Sequence, residues 1–282
     1  MKVSVGDIEL YARESGAGRP IVLLHGGPGL DSSVWFPGIE PLACDYRLIA
    51  VDLRANGRSD SGDPSRWTIQ QMADDVEALI KRLDLDKPII YGWSFGSFVA
   101  QQHMASHGTA DAYILMGTIA SLDALTGIDA RLAAFEPVEL REQVTRSWEL
   151  EAKAETAQEL SALMRDQLPW QVGDPTGPLV AELLARADEI VYSPAILRHF
   201  AASGDYGFVD HREQFRSFEG AVLVLNGELD RTTPPESARE LAELLPHGEY
   251  VELRGCGHML LDEDQTSALS AVREFVARVG RA

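Results

Sequence analysis

The sequence is poor in cysteine. It contains only two cysteines among 282 residues, Cys44 and Cys256, which are too few for a disulfide framework. They also lie too far apart in the chain to form a closely spaced pair of metal ligands. Reduced thiols are typical of the cytoplasm, so a cytoplasmic location is expected.

Positive charge and long apolar runs are also scarce. The chain has 25 Lys and Arg residues against 44 Asp and Glu residues, which gives a formal net charge of -19. Such a charge repels phosphate backbones and anionic lipid headgroups, so no nucleic acid or membrane partner is expected. No run approaches the roughly 18 apolar residues that span a bilayer, and residues 1–5 lack the apolar stretch of a signal peptide. We therefore expect a soluble protein with a sizeable core.

The sequence does contain an alternation of short apolar runs and helical patterns. Residues 3–12 predict a hairpin around Gly6 and Asp7. Further strands are predicted at 21–24, 48–51, 89–91 and 113–116. Residues 68–83 predict an amphipathic helix with Asp74, Asp75 and Glu77 facing water. Strands that alternate with helices predict a mostly parallel sheet covered on both faces.

This alternation stops between residues 121 and 218. Charged helical segments replace the strand patterns, with Leu140, Val144 and Trp148 at four-residue spacing. The alternation returns with a strand at 221–225, a helix at 235–245, a strand at 250–253 and a helix at 267–279. We predict a core of residues 1–120 and 219–282 with an inserted helical cap of residues 121–218. The acidic run 149–159 is interpreted as a solvated helix face, with an acidic interaction surface as the disfavoured alternative.

Ser94 is a candidate nucleophile. It lies in Gly92-Trp93-Ser94-Phe95-Gly96, between a predicted strand and a helical pattern, which is the context of a nucleophile elbow. A sharp strand-to-helix turn strains the serine backbone and leaves no room for a Cβ at either glycine. The pattern alone is weak, because it arises by chance in on the order of one chain in ten of this length.

Asp230 and His258 are candidates for the other two members of a catalytic triad. A serine hydroxyl needs a base within hydrogen-bond reach, and a carboxylate must orient that base. Asp230 follows the strand predicted at 221–225, and His258 follows the last predicted strand. Taken singly, they are typical of a turn residue and a surface histidine. Their joint placement after the expected strands, in the order Ser, Asp, His, favours the triad.

The glycine-rich loop from His25 to Gly29 directly follows the strand predicted at 21–24. Bare glycine backbone lets N–H groups approach a developing oxyanion, so we assign the oxyanion hole to the N–H groups of Gly27 and Phe95. His25 is interpreted as a brace of the local backbone. The alternatives are an ordinary turn and a phosphate cradle, and the second is disfavoured because no Gly-Lys-Ser/Thr sequence follows.

Aromatic and histidine residues suggest few further sites. Trp35, Trp93 and Trp148 are candidates for the walls of an apolar substrate pocket, with plain core packing as the alternative for each. His103 and His107 have a spacing that can chelate a metal, but no third ligand is readable. We expect no metal, no cofactor and a small-molecule or short-peptide substrate. No pattern indicates an oligomeric state.

These motifs resemble the α/β-hydrolase superfamily over nearly the whole chain, with the insertion where that family carries its cap. The loop His25-Gly26-Gly27-Pro28-Gly29 is similar to that of the proline iminopeptidase branch. Residues 52–59 are similar to its Asp-x-Arg-Gly-x-Gly-x-Ser segment, except that Ala55 replaces a glycine. Residues 230–235 and the Gly-x-Gly-His turn are similar to those of enol-lactone hydrolases and small esterases.

The resemblance implies a serine hydrolase that cleaves an ester, a lactone or an N-terminal amide such as a prolyl peptide. Ser94 stands where dehalogenases and epoxide hydrolases of the superfamily carry an aspartate nucleophile, so both activities are disfavoured. Two departures from the pattern of the proline iminopeptidase branch bear on cleavage of an N-terminal amide. Gly-Trp-Ser-Phe-Gly replaces that branch's Gly-Gly-Ser-Trp-Gly around the serine, and Arg231 follows Asp230 where some members of the branch have a glutamate. An N-terminal amine needs nearby carboxylates, and candidates in the cap are Glu136, Glu139 and Glu142. The alternatives are a small-molecule receptor on the same fold and a lyase that uses the same residues.

Overall fold

A computed structural model describes residues 1–204 and 206–279. Eight strands form one sheet in the order β1-β2-β4-β3-β5-β6-β7-β8. The strands are β1 (Lys2–Ser4), β2 (Glu9–Ser15), β3 (Arg19–Leu24), β4 (Tyr46–Val51), β5 (Ile89–Trp93), β6 (Ala112–Met116), β7 (Ala221–Gly227) and β8 (Gly248–Leu253). Every strand that the sequence predicts is present, within a few residues of its predicted ends.

The sheet is antiparallel at one edge and parallel elsewhere. β1 and β2 form the predicted hairpin with Val3 opposite Leu10, and β2 is also antiparallel to β4. All other neighbouring strands are parallel. The C-terminal ends of β3, β5, β7 and β8 therefore meet at one edge of the sheet, where a parallel sheet places its ligand sites.

The α-helices account for about half of the remaining described residues. They are α1 (Ile69–Arg82), α2 (Phe95–Ser106), α3 (Asp123–Thr126), α4 (Ile128–Ala133), α5 (Val138–Glu151), α6 (Ala157–Gln171), α7 (Pro178–Arg186), α8 (Pro194–Ala201), α9 (Arg212–Phe215), α10 (Pro235–Leu244), α11 (Leu260–Glu263) and α12 (Gln265–Val279). Short 3-10 helices lie at Ser32–Trp35, Glu40–Cys44, Pro64–Arg66 and Ala187–Glu189. None of the helices in the described residues is long and apolar enough to cross a bilayer.

Alternate residues of the central strands pack into two cores on opposite faces of the sheet. Val22 and Leu24 of β3 belong to a buried cluster with residues of α1, α2 and α10. Ile21 and Leu23 belong to a second cluster with residues of α12. This follows from the two-residue period of a strand, and it confirms the predicted sheet with helices on both faces.

The polar face of α1 differs from the sequence prediction. Thr68 caps the helix by accepting the N–H of Gln71, and Asp74 is partly exposed. Asp75 and Glu77 were predicted to face water, but both are buried. Asp75 forms an ion pair with the fully buried Arg54, and Glu77 accepts hydrogen bonds from a neighbouring helix and loop. A periodic pattern shows which face is apolar, but a second polar element can cover the other face.

Between β6 and β7 the regular secondary structure of the described residues is helical and consists of α3 to α9 and the 3-10 helix Ala187–Glu189. Helix α5 buries Val144 against Phe135 and Trp170, with Leu140 and Trp148 packed beside them. The four-residue spacing predicted this stripe.

Candidate active site

Ser94 lies directly after β5 and before α2, at the C-terminal edge of the sheet. Its φ of 52° and ψ of -121° are strained for a residue with a side chain. Its N–H donates to the carbonyl of Met116 at 2.9 Å, and its carbonyl accepts the N–H of Ser97 at 2.8 Å. These bonds hold the strained backbone in place.

The glycines on either side of this turn are required by close packing, as the sequence predicted. A Cβ at Gly92 would overlap the backbone of Gly96 and lie 2.7 Å from Cα of Ser97. A Cβ at Gly96 would overlap the carbonyl of Leu24, the last residue of β3. The elbow therefore packs against the strand that leads into the glycine-rich loop.

Asp230 and His258 come together from the loops after β7 and β8. The imidazole Nδ1 of His258 lies 2.7 Å from Oδ2 of Asp230, and both side chains are buried. Asp230 Oδ1 accepts the N–H groups of Thr232 at 2.9 Å and Thr233 at 2.8 Å, and Oδ2 accepts the Thr233 hydroxyl at 2.7 Å. A carboxylate that accepts this many hydrogen bonds has a fixed orientation. Because Asp230 engages Nδ1, the nitrogen of His258 left for proton transfer is Nε2.

The glycine-rich loop lies against the elbow. A Cβ built on Gly26 would be 3.3 Å from Cβ of Ser94. Phe95 is the first residue of α2, so its N–H has no acceptor within the helix. Across residues 1–204 and 206–279, neither the N–H of Gly27 nor that of Phe95 donates to a protein acceptor. Both donors are therefore free to bind an oxyanion.

His25 and Asn56 fix the glycine-rich loop through hydrogen bonds to its backbone. The fully buried His25 accepts the N–H of Leu53 at Nε2, 3.1 Å away, so its proton resides on Nδ1, which donates to the carbonyl of Gly26 at 2.7 Å. Burial lowers the pKa of His25, which favours this neutral form. Asn56 Oδ1 accepts the N–H of Gly29 at 2.8 Å. These contacts agree with the interpretation of His25 as a backbone brace.

A cavity of about 410 Å³ opens over these groups and extends beneath the helices between β6 and β7. Ser94, His258, Gly27 and Phe95 all line it. Most other lining side chains are apolar or aromatic, including Trp93 and Trp148. Such an enclosure suits a substrate with an apolar body.

Trp35 does not line this cavity, which corrects its prediction as a pocket residue. The side chain is 1% exposed and packs edge-on against Tyr91 and Trp93, with ring centroids 4.9 and 6.2 Å away. It supports the pocket residue Trp93 from the core beneath it. Residue type alone does not distinguish these two positions.

One buried acidic residue of the cavity wall was not predicted as a site residue. Glu151 belongs to the run interpreted as a solvated face, yet it is 5% exposed and lines the cavity. Its carboxylate accepts hydrogen bonds from the Gln167 amide and from the Tyr206 hydroxyl at 3.1 Å. No cation pairs with it in the described part of the chain, and burial raises its pKa to about 7. Glu151 lies seven residues after Val144 and so shares the buried face of α5, which is the signal in the sequence that identifies it.

The other predicted acids and histidines lie away from this wall. Glu136, Glu139 and Glu142 are exposed and do not line the cavity. His103 is buried between the Tyr113 hydroxyl and Glu77, and His107 lies 2.8 Å from Asp74. Among residues 1–204 and 206–279, no group of three or more His, Cys, Asp or Glu residues is arranged to hold a metal.

Comparison with known proteins yields one family and many relatives. Residues 19–265 match the model of the alpha/beta hydrolase fold. The chain is 27% identical to the AB hydrolase superfamily protein YisY of Bacillus subtilis, with 95% of each chain covered. It is 23% identical to a proline iminopeptidase of Heyndrickxia coagulans, over 93% of this chain and 92% of that one.

The solved structures that match include an esterase, RhEst1, from a Rhodococcus species. It superposes with a TM-score of 0.77 and is 28% identical, over 99% of this chain and 98% of that one. Both predicted resemblances, to proline iminopeptidases and to esterases, are therefore found among the relatives.

Proposed function

The chain belongs to the alpha/beta hydrolase fold family, and on that premise we propose that it is a serine hydrolase that cleaves a carbonyl-acyl bond through an acyl-enzyme. The observation that carries the proposal is the Asp230–His258 pair at the same cavity as the strained Ser94. Two free N–H donors beside that serine add the support an oxyanion needs.

In the proposed mechanism, Ser94 Oγ attacks the substrate carbonyl carbon while His258 Nε2 takes the hydroxyl proton. Asp230 accepts the Nδ1–H of His258 and stabilises the imidazolium. The N–H groups of Gly27 and Phe95 bind the oxyanion, and loss of one such donor typically costs about 3 to 4 kcal/mol. His258 then protonates the leaving group. A water molecule then gives a proton to His258 as its oxygen attacks the acyl carbon, and His258 returns a proton to Ser94 Oγ as the acyl group leaves.

The substrate we favour is a small ester or lactone with an apolar body, because apolar side chains dominate the cavity wall. Glu151 supports a second candidate, an N-terminal amide such as a prolyl peptide. Its carboxylate is the buried acid of the wall, whereas Glu136, Glu139 and Glu142 lie outside it. An uncompensated buried carboxylate attracts a cationic amine. Initial rates on p-nitrophenyl butyrate, a lactone and proline p-nitroanilide will rank these classes.

Ser94→Ala tests the catalytic role. We expect kcat to fall by several orders of magnitude on whichever substrate is best, because the triad residues act as a unit. The far-ultraviolet circular dichroism spectrum and the unfolding midpoint should match those of the parent protein. A fluorophosphonate probe should label the parent at Ser94 and leave the variant unlabelled. Near-normal turnover by the folded variant would refute the assignment.

The same fluorophosphonate probe distinguishes a hydrolase from the two alternative functions, a small-molecule receptor and a lyase. A small-molecule receptor that keeps the triad would be labelled at Ser94 but turn over no ester, lactone or prolyl amide. A lyase would act without a trappable acyl-enzyme, whereas a hydrolase should yield one when the reaction is acid-quenched.

Residues 121–218 are proposed as the cap that covers this site, and residues 1–120 and 219–282 as the core. The cavity supports this division because Trp148, Glu151 and other residues of the helical segment line it together with core residues. Cys44 and Cys256 are both free thiols, which supports a cytoplasmic location.

A further inference from the structure

We call residues 170–173 the bridging segment. It contains the last two residues of α6 and the two that follow, and it runs between the loops that carry Asp230 and His258. The N–H of His258 donates to the carbonyl of Gln171 at 2.7 Å. The bridging segment comes from the helices between β6 and β7, whereas both loops follow strands of the sheet. It therefore connects two distant parts of the chain at the candidate triad.

Glu263 ties the histidine loop to this segment. Its carboxylate accepts the N–H groups of both chain neighbours of His258, Gly257 at 2.8 Å and Met259 at 3.2 Å. The same carboxylate accepts the N–H of Gly173 at 2.6 Å. A single side chain thus fixes the backbone on either side of His258 and joins it to the bridging segment.

Arg231 ties the acid loop to the same segment. It directly follows Asp230, and its guanidinium donates to the carbonyl of Val172 at 2.7 Å. The adjacent Thr232 adds a second link, because its hydroxyl lies 2.9 Å from the indole nitrogen of Trp170 and 3.0 Å from the side-chain oxygen of Gln171.

The backbones at this junction are in direct contact. A Cβ at Gly257 would lie 2.7 Å from the carbonyl oxygen of Gln171 and 2.8 Å from the nitrogen of Gly173. A Cβ at Gly173 would overlap the carbonyl of Gly255. With no side chain between them, a shift of the bridging segment has to move the histidine loop.

We propose that Glu263 and Arg231 are positioning residues that hold the His258 and Asp230 loops in register through the bridging segment. The helical insertion then supports the triad as well as covering the cavity. Proton transfer from Ser94 depends on sub-ångström placement of His258, so this support acts on turnover. The inference rests on the proposed function, because it assumes that His258 serves Ser94.

Glu263→Gln and Arg231→Met test the two ties separately. Glutamine puts an amide N–H2 where Glu263 receives backbone N–H donors, so at least one hydrogen bond is lost to donor-donor repulsion. For p-nitrophenyl butyrate we expect kcat to fall about 10-fold or more in each variant, with KM within about 2-fold of the parent value. KM should hold because neither side chain lines the cavity. The rate of fluorophosphonate labelling at Ser94 should fall by the same factor as kcat.

The double variant tests whether both residues act through one segment. If they do, the combined fall in labelling rate will be smaller than the product of the two single falls. Glu228→Gln is the matched control, because Glu228 accepts the N–H of Gly255 at 2.8 Å in the same turn but makes no hydrogen bond to the bridging segment. It should keep the parent rate. All rates are normalised to the folded fraction from tryptophan fluorescence, and Arg231→Met carries the test if Glu263→Gln does not fold.

The inference is overturned if the folded single variants keep the parent kcat and labelling rate, if they change KM alone, or if the double variant shows the full product. Labelling supplies a readout even where the ester is a poor substrate. A parent protein that is neither labelled at Ser94 nor active would refute the proposed function and this inference with it. A labelled parent with unaffected variants would refute this inference alone.

Discussion

Replacement of Glu151 by glutamine is expected to remove a pH-dependent cost from the folded state. Burial raises the pKa of Glu151 from its ordinary value of 4.5 to about 7. Between those values the folded protein binds more protons than the unfolded chain, so the free energy of unfolding decreases as the pH rises from 4.5 to 7. Glutamine has a similar shape but no proton to lose.

The size of the effect follows from the two pKa values. Each pH unit between them is worth about 1.4 kcal/mol, which gives a full cost of roughly 3 kcal/mol, most of which develops between pH 5 and pH 8. The glutamine amide can also satisfy its surroundings. Its oxygen can accept from Gln167, and its N–H can donate to the Tyr206 hydroxyl, which is an acceptor as well as a donor.

Urea unfolding followed by tryptophan fluorescence at pH 5 and pH 8 measures this cost. The difference in unfolding free energy between Glu151→Gln and the parent should rise by roughly 2 to 3 kcal/mol from the lower to the higher pH. Taking the difference between the two proteins cancels the titration of all other groups. Glu149→Gln is the control, because Glu149 is exposed on the same helix, and it should show no such rise. If the difference in unfolding free energy between Glu151→Gln and the parent is the same at both pH values, the claim that the Glu151 carboxyl is buried without a compensating charge is refuted.

Three further substitutions address the elbow, the triad and a strained loop. Asp230→Asn should lower kcat for a good ester about 10⁴-fold with little change in unfolding midpoint. Asparagine presents an N–H to Nδ1 of His258, so the imidazole proton moves to Nε2 and the base is lost. Turnover close to the parent rate would contradict the triad. Ala55→Gly should raise the unfolding free energy in urea by about 0.5 to 1 kcal/mol, because Ala55 has a φ of 62°, where glycine carries no Cβ penalty. A loss of stability would contradict this. Gly96→Ala should lower stability by about 3 kcal/mol through overlap with the Leu24 carbonyl, and an unchanged melting temperature would argue against close packing at the elbow.

Much of the architecture was predictable because its signals are local. The two-residue period of β3 and the one-sided stripe of α1 arise from backbone geometry that every strand and helix shares. Parallel strands then bring their C-terminal ends to one edge, so Ser94, Asp230 and His258 were expected near each other from strand order alone. The structure has all three there, and their catalytic roles stay predictions for the experiments above.

The misassigned residues have a common cause. Trp35 was expected at the pocket and lies in the core, while Asp75, Glu77 and Glu151 were expected in water and are buried. Each of these side chains meets a partner far away in the sequence, such as Arg54 for Asp75. A local pattern contains no information about which distant element will cover a polar face.

Local residue patterns are enough to predict the alternation of strands and helices and the tight turn at Ser94, and the order of the candidate triad is simply the order of its residues in the chain. Which acids are buried, and which groups hold His258 in place, depends instead on tertiary packing. Glu151 is covered by Gln167 and Tyr206, and Glu263 meets Gly173; each of these partners lies 16 or more residues away in the chain. The hydration of a charge is set by everything that surrounds it, and those surroundings exist only in the folded chain.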